Sequence, residues 1–304
     1  MMYHVSRRTD IPGCYWEWFL RRLDAGYALV RNPYYPEKIS KFILTPDVCD
    51  GFSFLSKNYG PALRGVEGFM SLEQIVDTYR ITKFDFTLTP YIGLEPALPK
   101  IEERISDLTK LCSIVGSKRI SWLLAPVLTT DDKYDVNYHT TFIRLAVPRM
   151  APLVSSCMVS EVNLYKHVVA RAPYLRRFTA SEREEVFGVL GEVAKENGLL
   201  LRCCPGSLGD KARFGFVETV CTSREALSEM NDCQIVRGNR EKCGCVKMCD
   251  LGAYAPCAHN CAYCYAQPGI AFGYDPTSEM LFDKPVGDEL MQCAKQVSLC
   301  KPTV

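Results

Sequence analysis

Two hydrophobic periods alternate along the chain. Runs in which apolar residues fill every second position, or nearly every position, read as β-strands: "YHVSRR" from residue 3, "GFSFLS" from 51, "KFDFTLTPY" from 83, "RISWLLAPVL" from 119, "SSCMVSEVNLY" from 155 and "LLLRCC" from 199. Between them lie stretches with the 3.6-residue period of amphipathic helices, at 13–26, 72–81, 100–116, 137–150 and 181–198. Trp16, Phe19, Leu20 and Leu23 mark the apolar face of the first. Ser181 with Glu184 three residues on is a capping-box pattern for the last, and Asn197-Gly198 supplies its stop.

Strand followed by helix, repeated, predicts an α/β fold with a parallel sheet, because parallel strands need crossover connections. Six such strands suit a (β/α) barrel, partial or full, better than a small sandwich. In these folds chemistry gathers beyond the C-terminal ends of the strands. Polar residues stand there in this chain: Arg7, Arg8 and Asp10, then Lys57 and Asn58, then Thr87, Thr89 and Tyr91, then Glu161, Asn163 and Tyr165. Taken singly, each has an alternative role in capping a helix or satisfying loop backbone. From about residue 203 the pattern changes to a stretch rich in Gly, Cys and charge, with one short helix near "SREALSEMN". The expected division is a barrel core over 1–202 and a cysteine-rich elaboration over 203–304 packed on it.

Composition narrows the class. Of 304 residues, 47% are hydrophobic and 23% charged, as in an ordinary globular protein. A net charge of +1 sets up no field directed at nucleic acid or an anionic membrane. No apolar run reaches the roughly 18–20 residues needed to span a bilayer, and "MMYHVSRRTDIP" lacks the apolar stretch of a signal peptide. A cytoplasmic, reducing location is expected, with no membrane partner.

Cysteine is the outlier at 16 residues, ten of them between Cys203 and Cys264. Disulfides are rare in a reducing compartment, so clustered thiols point to a metal or redox cofactor. Cys257, Cys261 and Cys264 form a C-x3-C-x2-C run, "CAHNCAYC". Zinc would take four ligands, Cys261 and Cys264 with another pair such as Cys243 and Cys245, and His259 could also serve. Three thiolates alone suit a [4Fe–4S] cluster whose fourth iron stays open to a ligand.

That run resembles the signature of the radical S-adenosylmethionine (SAM) superfamily, with Tyr263 in its aromatic position. The resemblance implies a partial or full (β/α) barrel, a [4Fe–4S] cluster on Cys257, Cys261 and Cys264, and SAM bound at the open iron. It also implies a flavodoxin- or ferredoxin-type electron donor. "SRRTDIP", "LVRNP", "SKN", "FTLTPY" and "CGC…DLGAYAPCAHNCAYCYA" resemble, across most of the chain, an uncharacterised bacterial family distantly like spore photoproduct lyase. Its cysteines implicate Cys204, Cys221, Cys243 and Cys245 in a second [4Fe–4S] cluster or a zinc site, with free or substrate-binding thiols as the alternative. Cys203, Cys233 and Cys249 are further candidates for that site, whereas Cys14, Cys112, Cys157, Cys293 and Cys300 read as plain core or surface cysteines.

The chain departs from that family at Leu124 and Ala125, where an Arg or Tyr and an Asp are expected. It also lacks the superfamily's Gly-Gly-Glu element. Arg7, Arg8, Asp10 and Tyr263 are the expected SAM contacts, although Arg8 or Asp10 could instead form a buried ion pair. Lys57, Asn58, Thr87, Thr89, Tyr91 and Asn163 are the expected contacts to a small-molecule substrate. The triplet comes after six strands rather than after the first. "VKMCDLGAY" therefore predicts a last strand that sits beside the first, as in a circularly permuted barrel. Two other classes compete: a zinc-stabilised binding protein without a redox role, and a nucleic-acid processing or repair protein suggested by "YLRRFTASER". Near-neutral charge argues against the second.

Overall fold

A computed structural model of the protein describes residues 1–130, 132–204, 212–220, 222–233, 244–254, 257–266 and 273–283. Its strands are β1 (Met2–Val5), β2 (Tyr27–Arg31), β3 (Ile39–Ile43), β4 (Gly51–Ser56), β5 (Ile81–Thr87), β6 (Ile120–Val127), β7 (Ser156–Glu161), β8 (Leu201–Cys203), β9 (Val217–Glu218) and β10 (Cys249–Asp250). The helices are α1 (Ile11–Cys14), α2 (Trp16–Ala25), α3 (Gly60–Arg64), α4 (Leu72–Thr78), α5 (Ile101–Val115), α6 (Val136–Met150), α7 (Lys166–Arg171), α8 (Ala180–Glu196) and α9 (Arg224–Asn231). The fold is α/β. Eight strands form one sheet in the order β10-β1-β4-β5-β6-β7-β8-β9, parallel at every pairing, while β2 and β3 form a separate antiparallel hairpin.

Alternation along each strand sorts its residues between two faces. Phe52, Phe54, Phe84, Phe86 and Trp122 join the main core with Trp16, Phe19 and Leu20 of α2. Phe19 meets Phe52 and Phe54 edge-on, at ring separations of 5.2 and 5.7 Å. The intervening positions are polar: Ser53, Lys83, Asp85 and Ser121 are all buried, and Lys83 pairs with Asp85. One face of the sheet thus supplies the core and the other carries polar groups toward the C-terminal ends.

The last strand lies beside the first, with Tyr3 opposite Cys249 and His4 opposite Asp250. Side chains fasten this junction. Asp250 accepts from the Ser6 hydroxyl at 2.6 Å and the Arg7 amide at 2.9 Å, and the Thr9 hydroxyl donates to the Ala253 carbonyl at 2.5 Å. A Cβ on residue 252 would come within 1.9 Å of Ser6 Oγ, so only glycine fits there.

Helix α8 starts two residues before the expected point. Thr179 accepts from the Glu182 amide at 3.3 Å, and the Glu182 carboxylate accepts from the Thr179 amide at 2.8 Å. "TASE" and "SERE" carry the same pattern, and the upstream box wins because Arg176 also holds Glu182, at 2.8 Å. No described helix is long and apolar enough to cross a membrane.

Candidate functional site

At the C-terminal ends of β1, β4, β5 and β7, the loop carrying residues 257–266 closes over a cleft of about 610 Å³. Many of the expected site residues meet there. Cys257, Cys261, Cys264 and Tyr263 line it from the loop, and Arg7, Arg8, Asp10, Lys57, Thr87 and Asn163 line it from the strand ends. Tyr165 and Ala125 add to its wall, whereas Leu124 turns into the core. Thr89 and Tyr91 lie buried beneath, and Asn58 caps the Gly60 amide at 3.0 Å. Glu161 pairs with Arg183 at 3.0 Å.

Backbone contacts shape the cysteine loop. Asn260, at φ 50°, donates its amide to the Cys257 carbonyl at 3.1 Å, and the Cys264 amide donates to the Cys261 carbonyl at 3.0 Å. Arg171 of α7 clamps the loop from outside through the carbonyls of Ala262 at 3.0 Å and Cys264 at 2.6 Å. Burial pushes the Cys261 thiol up to about 12 against the opposing charge of Lys57, with smaller contributions from Glu95, Cys264 and Cys257. Burial likewise raises Cys264. Ionised Cys257 opposes ionisation of Cys261 and Cys264, whereas the bond from Cys14 brings Cys257 itself down to about 6; thiols packed this way favour a cation. Soft thiolates on one short loop, facing one cleft, fit an iron–sulfur cluster.

Beneath Tyr263 lies a charged network in which Lys57 and Thr89, expected at the site, meet Glu95 and Arg104, which were not. Glu95, buried, accepts from Lys57 Nζ at 2.8 Å, from Thr89 Oγ1 at 2.5 Å and from the Tyr263 hydroxyl, with Arg104 at 3.7 Å. Arg104 also donates to the carbonyls of Lys57 at 2.8 Å and Thr87 at 2.6 Å. Burial pushes the Glu95 carboxyl up, but the Lys57 and Arg104 charges, together with the hydrogen bonds from Lys57 and Thr89, hold it below its ordinary value. Arg104 sits among charged neighbours on a helix, so its inward direction was masked. Glu95 follows the end of β5 by a few residues, and that position is the one signal that could have found it.

A second cluster lies at the other side of the loop. Asp10 Oδ1 accepts from the Gly13 amide at 2.8 Å and Ser56 Oγ at 2.7 Å, while Oδ2 accepts from the Lys57 amide at 2.8 Å and His259 Nε2 at 2.9 Å. Burial pushes the Asp10 carboxyl up, yet the bond and charge of His259, with Ser56 and Lys57, bring it below its ordinary value. Burial lowers the basicity of His259, and Asp10 more than restores it. Cys14, expected to be a plain cysteine, stands here instead. Its Sγ is 4.0 Å from Cys257 Sγ and 3.6 Å from His259 Nε2. Gly13 makes the space, since a Cβ there would fall 2.8 Å from both His259 Nε2 and Asp10 Oδ1. A glycine as the first residue of the first predicted helix is the one sequence signal that could have found it.

Arg7 opens onto the cleft, while Arg8 donates to the Gly252 carbonyl at 3.2 Å and stacks 5.2 Å over the Tyr254 ring. Of the cysteines expected in a second cofactor site, Cys204 follows β8 and Cys245 is buried. The Thr219 amide donates to the Cys203 carbonyl at 3.0 Å, and the Val246 amide donates to the Thr222 carbonyl at 2.9 Å. Cys221 and Cys243 lie outside the described residues.

A family model described as a domain of unknown function (DUF1848) matches residues 2–266. No curated protein and no solved structure matches the chain.

Proposed function

The chain belongs to the DUF1848 family, and from the cleft that its cysteines line we propose that it is a radical SAM enzyme acting on a small, polar substrate. One observation carries the reading. The three thiols of the C-x3-C-x2-C run share a cleft of about 610 Å³ with Arg7, Lys57, Thr87 and Asn163 at the C-terminal ends of parallel strands. That volume suits a cofactor and a small ligand.

Cys257, Cys261 and Cys264 hold a [4Fe–4S] cluster, and the sheet is a circularly permuted (β/α) barrel in which the cluster-bearing loop follows the last strand. When bound, the cluster and SAM supply reductive cleavage of SAM and a radical that begins chemistry on the substrate. The chain's residues supply position and shelter. The Arg7 guanidinium offers a carboxylate-matching fork at the cleft. Lys57, fixed by Glu95 at 2.8 Å, offers an ammonium whose direction is set before a ligand arrives. Tyr263 and Tyr265 line the cleft, and Arg171 holds the loop carbonyls of Ala262 and Cys264. A flavodoxin- or ferredoxin-type protein is the electron donor.

The test is anaerobic purification followed by assay of iron and sulfide. The protein is expected to be brown, and Cys257→Ala, Cys261→Ala and Cys264→Ala are each expected to lose the irons of this cluster. Wild-type protein that stays colourless after chelator treatment and anaerobic reconstitution with iron and sulfide would contradict the reading.

A further inference from the structure

Cys14 and His259 have no part in that reading, yet the fold builds them into place. Among the described residues, Cys14, Cys257 and His259 form a group of metal-ligating atoms that closes to within 4.8 Å of one another. We propose that these three residues bind a single zinc-class divalent cation, and that Cys257 is shared between this site and the cysteine triplet, so that an ion and a cluster exclude each other.

The spacing suits one ion. Zinc bonds of about 2.3 Å to sulfur and 2.0–2.1 Å to nitrogen place tetrahedral ligand atoms roughly 3.5–3.8 Å apart. The sulfurs here are 4.0 Å apart, and the Cys14 sulfur lies 4.0 Å from His259 Nδ1, so each contact needs to shorten by only a few tenths of an ångström. Two thiolates and an imidazole are a borderline-soft set that selects zinc over calcium or magnesium.

The surroundings are those of a ligand site. Asp10 Oδ2, 2.9 Å from His259 Nε2, fixes that nitrogen as the N–H donor and leaves Nδ1 with a lone pair for an ion. Backbone amides point at both sulfurs, Ala258 toward Cys14 and His259 toward Cys257. Gly13 holds open the space that the imidazole needs. Cys257 and His259 face the cleft, which gives an ion a way in and gives a water or substrate atom room for a fourth bond. This site does not depend on a cluster at Cys261 and Cys264.

The test is anaerobic titration of the iron-free full chain with Co²⁺, reading thiolate-to-cobalt absorption and the tetrahedral ligand-field bands. Relative to wild type, and whatever the cysteines between residues 203 and 249 bind, Cys14→Ser and His259→Ala are each expected to lose one equivalent of cobalt with its spectrum. Asp10→Asn is expected to weaken binding by about 10- to 100-fold, and Cys264→Ser to keep it. An unchanged spectrum in Cys14→Ser and His259→Ala would overturn the site, as would an equal loss in Cys264→Ser. Circular dichroism checks the fold of each variant, and X-ray absorption of cobalt-loaded Cys264→Ser supports the site if it shows mixed sulfur and nitrogen ligation and overturns it if it shows none. Preloading with zinc is expected to slow iron–sulfur reconstitution of wild type and not of Cys14→Ser; equal slowing would overturn the sharing of Cys257. Because cobalt binding is read without a cluster, a failure of the cluster reading leaves this result standing.

Discussion

Single residues set the electrostatics of the cleft. Glu95 answers two cations, Lys57 and Arg104, from a position 2% exposed. Replacing it by glutamine leaves both cations without their counter-charge, and breaking a buried pair in this way costs about 3–5 kcal/mol. Urea unfolding of Glu95→Gln should show a loss of that order, and a loss below about 1 kcal/mol would mean that water screens the network. His139 makes the opposite case. It is buried against the Leu128 carbonyl at 2.8 Å, and burial holds its pKa down to about 4 from 6.5 despite that bond. Between those two values the unfolded chain binds a proton that the folded chain does not. Stability should therefore fall as pH drops through this window, by up to about 1.4 kcal/mol per unit. His139→Gln, which keeps a donor for Leu128, should flatten that part of the curve in denaturant midpoints measured from pH 7 to pH 4.

At the scale of elements, the junction of β1 with β10 places the cysteine loop. Gly252→Ala drives a Cβ into Ser6 and should cost about 1–3 kcal/mol by overpacking, with reduced iron retention after gel filtration. Normal iron retention would show that the loop holds its place without this junction. Arg171→Ala, which frees two loop carbonyls, should lower iron retention with little change in melting temperature. The long strands β4 to β7 and helices α2, α5, α6 and α8 were legible because each repeats its period several times. β9, two residues long, is too short to show a period; β10, equally short, was expected from "VKMCDLGAY" through its place ahead of the cysteine loop, and it pairs with β1. The β2–β3 hairpin escaped notice because its strands are joined by residues 32–38, "NPYYPEK", rather than by a two-residue turn. At the site, the cysteine triplet and the strand-end polar residues were legible from spacing and position. Cys14 was not, since a cysteine at the head of an amphipathic helix looks like a small apolar residue. Its partners, Cys257 and His259, lie 243 and 245 residues away in sequence.

For the whole molecule, strand order gives the cysteine loop its meaning. A thiol triplet near the end of a chain suggests a terminal metal staple, but a last strand lying parallel to the first carries the loop over the strand ends. The cleft then joins residues from both ends of the sequence, with Arg7 and Asp10 facing Cys257 and His259. The central claim is that this cleft cleaves SAM, and product analysis tests it most directly. Protein reconstituted anaerobically with iron and sulfide is reduced in the presence of SAM, and 5′-deoxyadenosine is measured by chromatography and mass spectrometry. The account predicts its formation by wild type and its loss in Cys257→Ala, Cys261→Ala and Cys264→Ala. A fully loaded wild-type protein that forms none, or a Cys261→Ala variant that forms as much as wild type, would contradict it.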